Sequence, residues 1–145
     1  MKRLISLIIV TYSMLCASAF AASDPATFPC PSVEQVNFSK TDNGNGSFSI
    51  TATANPTTNM PPDLGSWFGT QIYAGVAIIG QQPTLHYALG GTPYSLACVY
   101  DIPAILTYNN QPTTISISVI PNGPGANTYK YEGTPSAILA EKLIP

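Results

Sequence analysis

The residues able to do chemistry are few, and their spacing decides how they can be read. His86 is the one histidine. In a triad it would need a nucleophilic hydroxyl on one side and an orienting carboxylate on the other. Seven carboxylates are available: Asp24, Glu34, Asp42, Asp63, Asp101, Glu132 and Glu141. Their spacing singles out no pair for acid–base work on a glycosidic bond. One histidine with no cysteine cluster falls short of a zinc ligand set. Asp42-Asn43-Gly44-Asn45 has the look of a calcium loop but lacks the further acidic ligands and the closing glutamate, so it reads as a turn. Gly90-Gly91 lacks the pattern and the following lysine of a phosphate loop. No metal and no cofactor are therefore expected.

Aromatic residues offer a second kind of chemistry, that of contact. Asp63-Leu64-Gly65-Ser66-Trp67-Phe68-Gly69 sets two large aromatics beside glycines, directly after a proline-rich stretch. Trp67 and Phe68 are candidate binding residues, because rigid aromatics give large contact area at low entropic cost. The same Trp67 can equally cap a core. Tyr129-Lys130-Tyr131 puts two rings two residues apart, hence on one face of a strand. Tyr129 and Tyr131 are thus a candidate platform for a sugar or a peptide, or else a tyrosine pair packing a sheet.

The segment before these residues reads as an address. Lys2-Arg3, an apolar run from Leu4 to Leu15 and the small-residue exit Ala19-Phe20-Ala21 form the three parts of a secretory signal peptide, with cleavage expected after Ala21. The apolar run covers about 12 residues where a spanning helix needs about 20. Cys16 leaves with it. Residues 22–145 are then a single secreted or periplasmic domain with three lysines against seven carboxylates, a charge of −4. Phosphate binding needs clustered Lys and Arg, so a nucleic-acid partner is not expected. In an oxidising compartment the two remaining cysteines, Cys30 and Cys98, are expected to pair and staple the chain.

The elements that must position these residues are strands. Only 8% of residues are charged, which argues against long solvated helices, while 45% are hydrophobic, enough to build a core. Ser47 to Ala54 alternates with Phe48, Ile50 and Ala52 on one face, and Thr113 to Ile120 repeats the pattern with Ile115, Ile117 and Val119. Asn43 to Gly46 makes a hairpin turn back to a partner strand over Val33 to Phe38. Gln71 to Ile79 and Leu85 to Leu89 are expected to form a further hairpin. Tyr94 to Tyr100 and Ala104 to Tyr108, interrupted by a turn at Asp101-Ile102-Pro103, lead on to the Thr113 strand as a meander. Alternation puts Tyr94 and Tyr100 on the face of Cys98. Asn55 to Gly65, with three prolines, is a long loop. Ser136 to Leu143 can form a short helix, with Thr134 as N-cap and Pro135 at its first position, or an extended edge strand. The fold expected is all-β, a small antiparallel sandwich or partly closed barrel.

Cys30-Pro31-Ser32 near the mature start, a Trp-containing middle and Leu96-Ala97-Cys98-Val99-Tyr100 together resemble short secreted gammaproteobacterial proteins of unknown function. That resemblance implies a bacterial source and export, and no activity. In size, Thr/Asn-rich strands and a single disulfide the chain is also similar to fimbrial subunits. Ser136 to Pro145 is read as lacking their alternating terminal strand. The function expected is binding or assembly with a protein or glycan partner, the alternative being a small hydrolase built on His86 with a carboxylate and a hydroxyl.

Overall fold

Period-two alternation becomes antiparallel sheet almost throughout. The computed structural model describes residues 24–80, 84–89 and 95–143, with the backbone alone for 85–89; the signal-peptide reading and Tyr94 fall outside them. The strands are β1 (Ala26–Phe28), β2 (Asn37–Asp42), β3 (Ser47–Ala54), β4 (Trp67–Ala74), β5 (Val76–Ile78), β6 (Thr84–Leu89), β7 (Leu96–Leu106), β8 (Pro112–Pro121), β9 (Tyr129–Thr134) and β10 (Ala137–Lys142). They form an all-β fold of two sheets. A small sheet has the order β1-β10-β9, and a large one the order β2-β3-β4-β8-β7-β5, with β6 also paired to β7.

The large sheet curls because β4 changes partners. It pairs with β3 along its whole length but with β8 only at Trp67↔Pro121 and Phe68↔Ile120. It then departs from β8, turns at Gly75, whose φ is +72°, and continues as β5 along the far edge of β7. One stretch of chain thus touches both sides of the β7–β8 hairpin and closes the sheet into a half-barrel. At the point of departure sits Gly69, where a Cβ would lie 2.0 Å from the Ser118 carbonyl oxygen. Tyr73 bridges the widening gap, its hydroxyl donating to the Ser116 carbonyl and its ring 5.8 Å from Phe48.

Inside the curl lie Phe48, Ile50, Tyr100, Ile102, Ile117 and Val119, all buried. The small sheet closes the core with Phe28, Tyr131 and Ile138, the Phe28 ring standing 6.2 Å from Trp67. The segment from Pro29 to Val36 crosses the remaining opening as a strap. Cys30 is bonded to Cys98 of β7, the Tyr100 hydroxyl donates to the Pro31 carbonyl, and Thr57 Oγ1 donates to the Pro29 carbonyl at 2.8 Å. Cys30 N–H donates to the Pro135 carbonyl at 2.8 Å, so the strap also holds the β9–β10 turn.

Four expectations need correcting. Val33–Gln35 is a 3-10 turn and not strand, because Gln35 N–H returns to the Ser32 carbonyl at 2.9 Å and the Gln35 side chain accepts from Ser32 N–H at 2.8 Å. The expected strand from Gln71 to Ile79 is broken at Gly75. Asp101-Ile102-Pro103 is no turn, since β7 runs through it unbroken. The Pro103 carbonyl faces β5, accepting from Ile79 N–H at 3.4 Å, so its missing donor falls on the edge that β6 has already left. Finally, of the two forms left open for Ser136 to Leu143, helix and edge strand, Ala137–Lys142 takes the strand, at the centre of the small sheet and not at its edge, with Ile138 and Ala140 inward. It does supply the terminal alternation that Ser136 to Pro145 was read as lacking, but β1 and β9 occupy both its edges within the same chain.

Two stability outcomes follow from this layout. Replacing Cys30 and Cys98 together by serine should lower unfolding free energy by about 2–5 kcal/mol, seen as a lower urea midpoint. Gly69→Ala should cost roughly 1–3 kcal/mol, the range for forcing atoms into a packed site, and an unchanged midpoint would show that β4 and β8 can part further at no cost.

Candidate functional site

Adjacent residues of β4 meet opposite fates. Trp67 points inward and is 0% exposed, with its Nε1–H buried and no acceptor among the described residues, so it is core and not a contact residue. Phe68, one step on, points outward and is 40% exposed. Tyr129 and Tyr131 do share a face, their rings 6.2 Å apart, but the small sheet turns that face onto the core. Tyr131 is 2% exposed, and its hydroxyl donates to the Ala126 carbonyl at 2.8 Å. Burial pushes its pKa up. A tyrosine platform open to a ligand is therefore not what β9 offers. His86 lies in β6 opposite Val99, and its side chain is outside the described residues. In the neighbouring row Thr84 pairs Asp101, whose carboxylate accepts a hydrogen bond directly from Ser116 Oγ.

Sequence spacing gave no sign of a second group, drawn from residues 66 and 79 positions apart. Asp63, in the 3-10 turn Pro62–Leu64, accepts from the Tyr129 hydroxyl at 2.8 Å and from Lys142 Nζ at 2.9 Å. Lys142 also stands 5.5 Å from the centre of the Tyr129 ring. Together with Pro61, Pro62, Asp24 and Ala26 they line a shallow depression. Partial burial raises the Asp63 pKa, but the hydrogen bonds from Lys142 and Tyr129 outweigh it and the net shift is downward. The Asp63 carboxylate in turn raises Lys142. Burial, then the bond to Asp63, raise Tyr129. Each group is held further from neutrality than its ordinary value. None is poised to exchange a proton near pH 7, as a general acid or base must be. The cluster is a clasp that ties the proline-rich loop to the ends of β9 and β10.

A third feature is the outward face of β2, β3 and β4. Register and alternation place there Asn37, Ser39 and Thr41 of β2, Ser47, Ser49, Thr51 and Thr53 of β3, and Phe68, Thr70, Ile72 and Ala74 of β4. Ile120 of β8 lies directly opposite Phe68 and extends the face. Ile120 is 47% exposed and Ile72 64%. None of these side chains ionises. Asn43 of the β2–β3 turn bonds to Ser47 Oγ at 3.2 Å and to Ser49 Oγ at 3.1 Å. Lys40 and Asp42 of β2 have the opposite parity, and Lys40 Nζ rests 4.5 Å from the centre of the Phe48 ring.

The clasp should show in the pH dependence of folding. Asp63 has a folded pKa below its unfolded value. Its contribution is therefore complete above the ordinary carboxylate pKa of about 3.9 and disappears as pH falls through the lower folded value. Lys142 has a raised folded pKa, so its share is present at neutral pH and is lost as alkaline pH rises through that value. Asp63→Asn should flatten the acid limb of a stability–pH curve by less than about 1 kcal/mol, because the pair is partly exposed and screened. An acid limb that is identical in the variant would remove Asp63 from this role.

Comparison with protein-family models, with curated proteins and with solved structures finds no match in any of the three, so function is read from the geometry above.

Proposed function

We propose that this chain is an exported, disulfide-stapled β domain that acts by contact, binding or assembling with a protein or glycan partner through the outward face of β2, β3 and β4. The observation that carries this is the Phe68–Ile120 pair: two large apolar side chains directly opposed across strands, both on the solvent side, both more than a third exposed. With Ile72 on the same face, such exposed apolar side chains among hydroxyls are the kind of feature that marks an interaction surface. Export is supported by the Lys2-Arg3 start with its apolar run and by the Cys30–Cys98 bond, which suits an oxidising compartment. Among the described residues no helix is long and apolar enough to cross a membrane.

The face is favoured over the sheet edge. β2 ends the large sheet and could template a further strand, but it carries Lys40 on its inward parity, a recognised way of blocking edge pairing.

The test is a double variant, Phe68→Ser with Ile120→Ser, whose side chains leave the core untouched. Its circular dichroism and urea midpoint should match the parent, while its retention on bacterial envelope and host-surface preparations should fall about tenfold, the effect of roughly 1.4 kcal/mol. Equal retention of parent and variant would end the reading.

A further inference from the structure

We propose that the partner of this face is an uncharged polysaccharide, an inference that rests on the face being the contact surface. Three rows cross the strands: Ser39–Thr51–Thr70, Thr41–Ser49–Ile72, and Asn37–Thr53–Phe68, the last continued by Ile120. Strands stand about 4.7–4.9 Å apart, and same-face residues repeat about every 6.6–6.8 Å along a strand. The rows therefore form a regular grid of hydroxyls. Each hydroxyl donates one hydrogen bond and accepts two, the same repertoire as a sugar hydroxyl. Asn43 fixes one member of the grid, Ser49, together with Ser47 at its end, before any ligand arrives. Immobilising such groups in advance lowers the cost of binding. Phe68, Ile72 and Ile120 flank the grid with apolar surface suited to the C–H faces of sugar rings.

Charge narrows the choice. The chain carries a formal charge of −2, yet none of the side chains on this face ionises. A polyanion would meet no cation here and would approach an acidic molecule. A basic or acidic protein surface would have to desolvate its charges against neutral hydroxyls, which costs free energy unless they are paired. A second copy fits poorly as well. Two such faces stacked together would bury many hydroxyls with three large apolar side chains from each, where lasting homodimer interfaces are markedly apolar.

The experiment is co-sedimentation of the oxidised protein with cellulose, chitin, starch granules and a β-1,3-glucan, with alginate beads as the anionic control, at low and high salt. Retention on at least one neutral polymer is expected, unaffected by salt, and reduced about tenfold by Thr51→Val with Thr70→Val, which removes two hydroxyls from one row and keeps β-branched shape. Absence of retention on every neutral polymer overturns the proposal, as does retention abolished by salt or unchanged in the threonine variant. Analytical ultracentrifugation adds a separate arm: a dimer dissociated by Ile72→Ser would make a second copy the occupant and overturn it too. If the polymers fail while the Phe68/Ile120 variant still loses its envelope partner, the contact face stands and the polysaccharide falls; if that variant also behaves as the parent, both fall.

Discussion

The strap from Pro29 to Val36 is the constraint on which the rest depends. A half-barrel leaves one side of its core open, and here the inner face of β7 would lie bare at Cys98 and Tyr100. Both residues are 0% exposed because the strap is bonded to them, covalently at Cys98 and through the Pro31 carbonyl at Tyr100. The same strap accepts the Thr57 hydroxyl and reaches the Pro135 carbonyl. Proline-rich loop, small sheet and large sheet therefore share one anchor. Closing a long loop also restricts the unfolded chain, which matters for a domain with few ion pairs to add at its surface.

Curling the sheet is the second constraint, and it decides which residues can meet a partner. β4 must touch β8, pass across it and reach β7, and only a glycine fits where it leaves β8. Its register then sends Trp67 in and Phe68 out. The alternation of Ser47 to Ala54 and Thr113 to Ile120 made those two strands and their inward sets readable from residue types alone, and the reading of Cys16 as part of an export signal, which leaves Cys30 and Cys98, made the disulfide readable. The parity of Trp67 against Phe68 was not readable, because a loop reading of the residues before them sets no phase. Strand pairing with β3 sets it, through Ala54↔Trp67.

What stayed hidden has a common cause. Pro103 reads as a strand breaker until the partner on each edge is known, and its missing donor is harmless only because β6 has ended there. Ala137 to Lys142 has apolar residues compatible with either period, and it is the free edges of β1 and β9 that recruit it as strand. Asp63, Tyr129 and Lys142 are brought together by the packing of the loop onto the small sheet, a relation between distant segments with no local signature. In each case long-range pairing overrides the local pattern, as is usual for sheet propensity.

The same distribution of groups bears on how such a domain can work. Ionisable side chains near the clasp neutralise one another, and Lys40 is spent shielding a sheet edge on the Phe48 ring. Charge is thus used to hold and protect the fold, while the face of β2, β3 and β4 is left to hydroxyls, one amide and apolar side chains. Such a face gives little electrostatic steering, so its encounters should be slow and insensitive to salt. On the proposed contact role, useful affinity would come from many weak, regularly spaced contacts made at once. A repeating ligand supplies those through multivalency, since neighbouring copies engaging the same polymer multiply a weak single contact without any new chemistry.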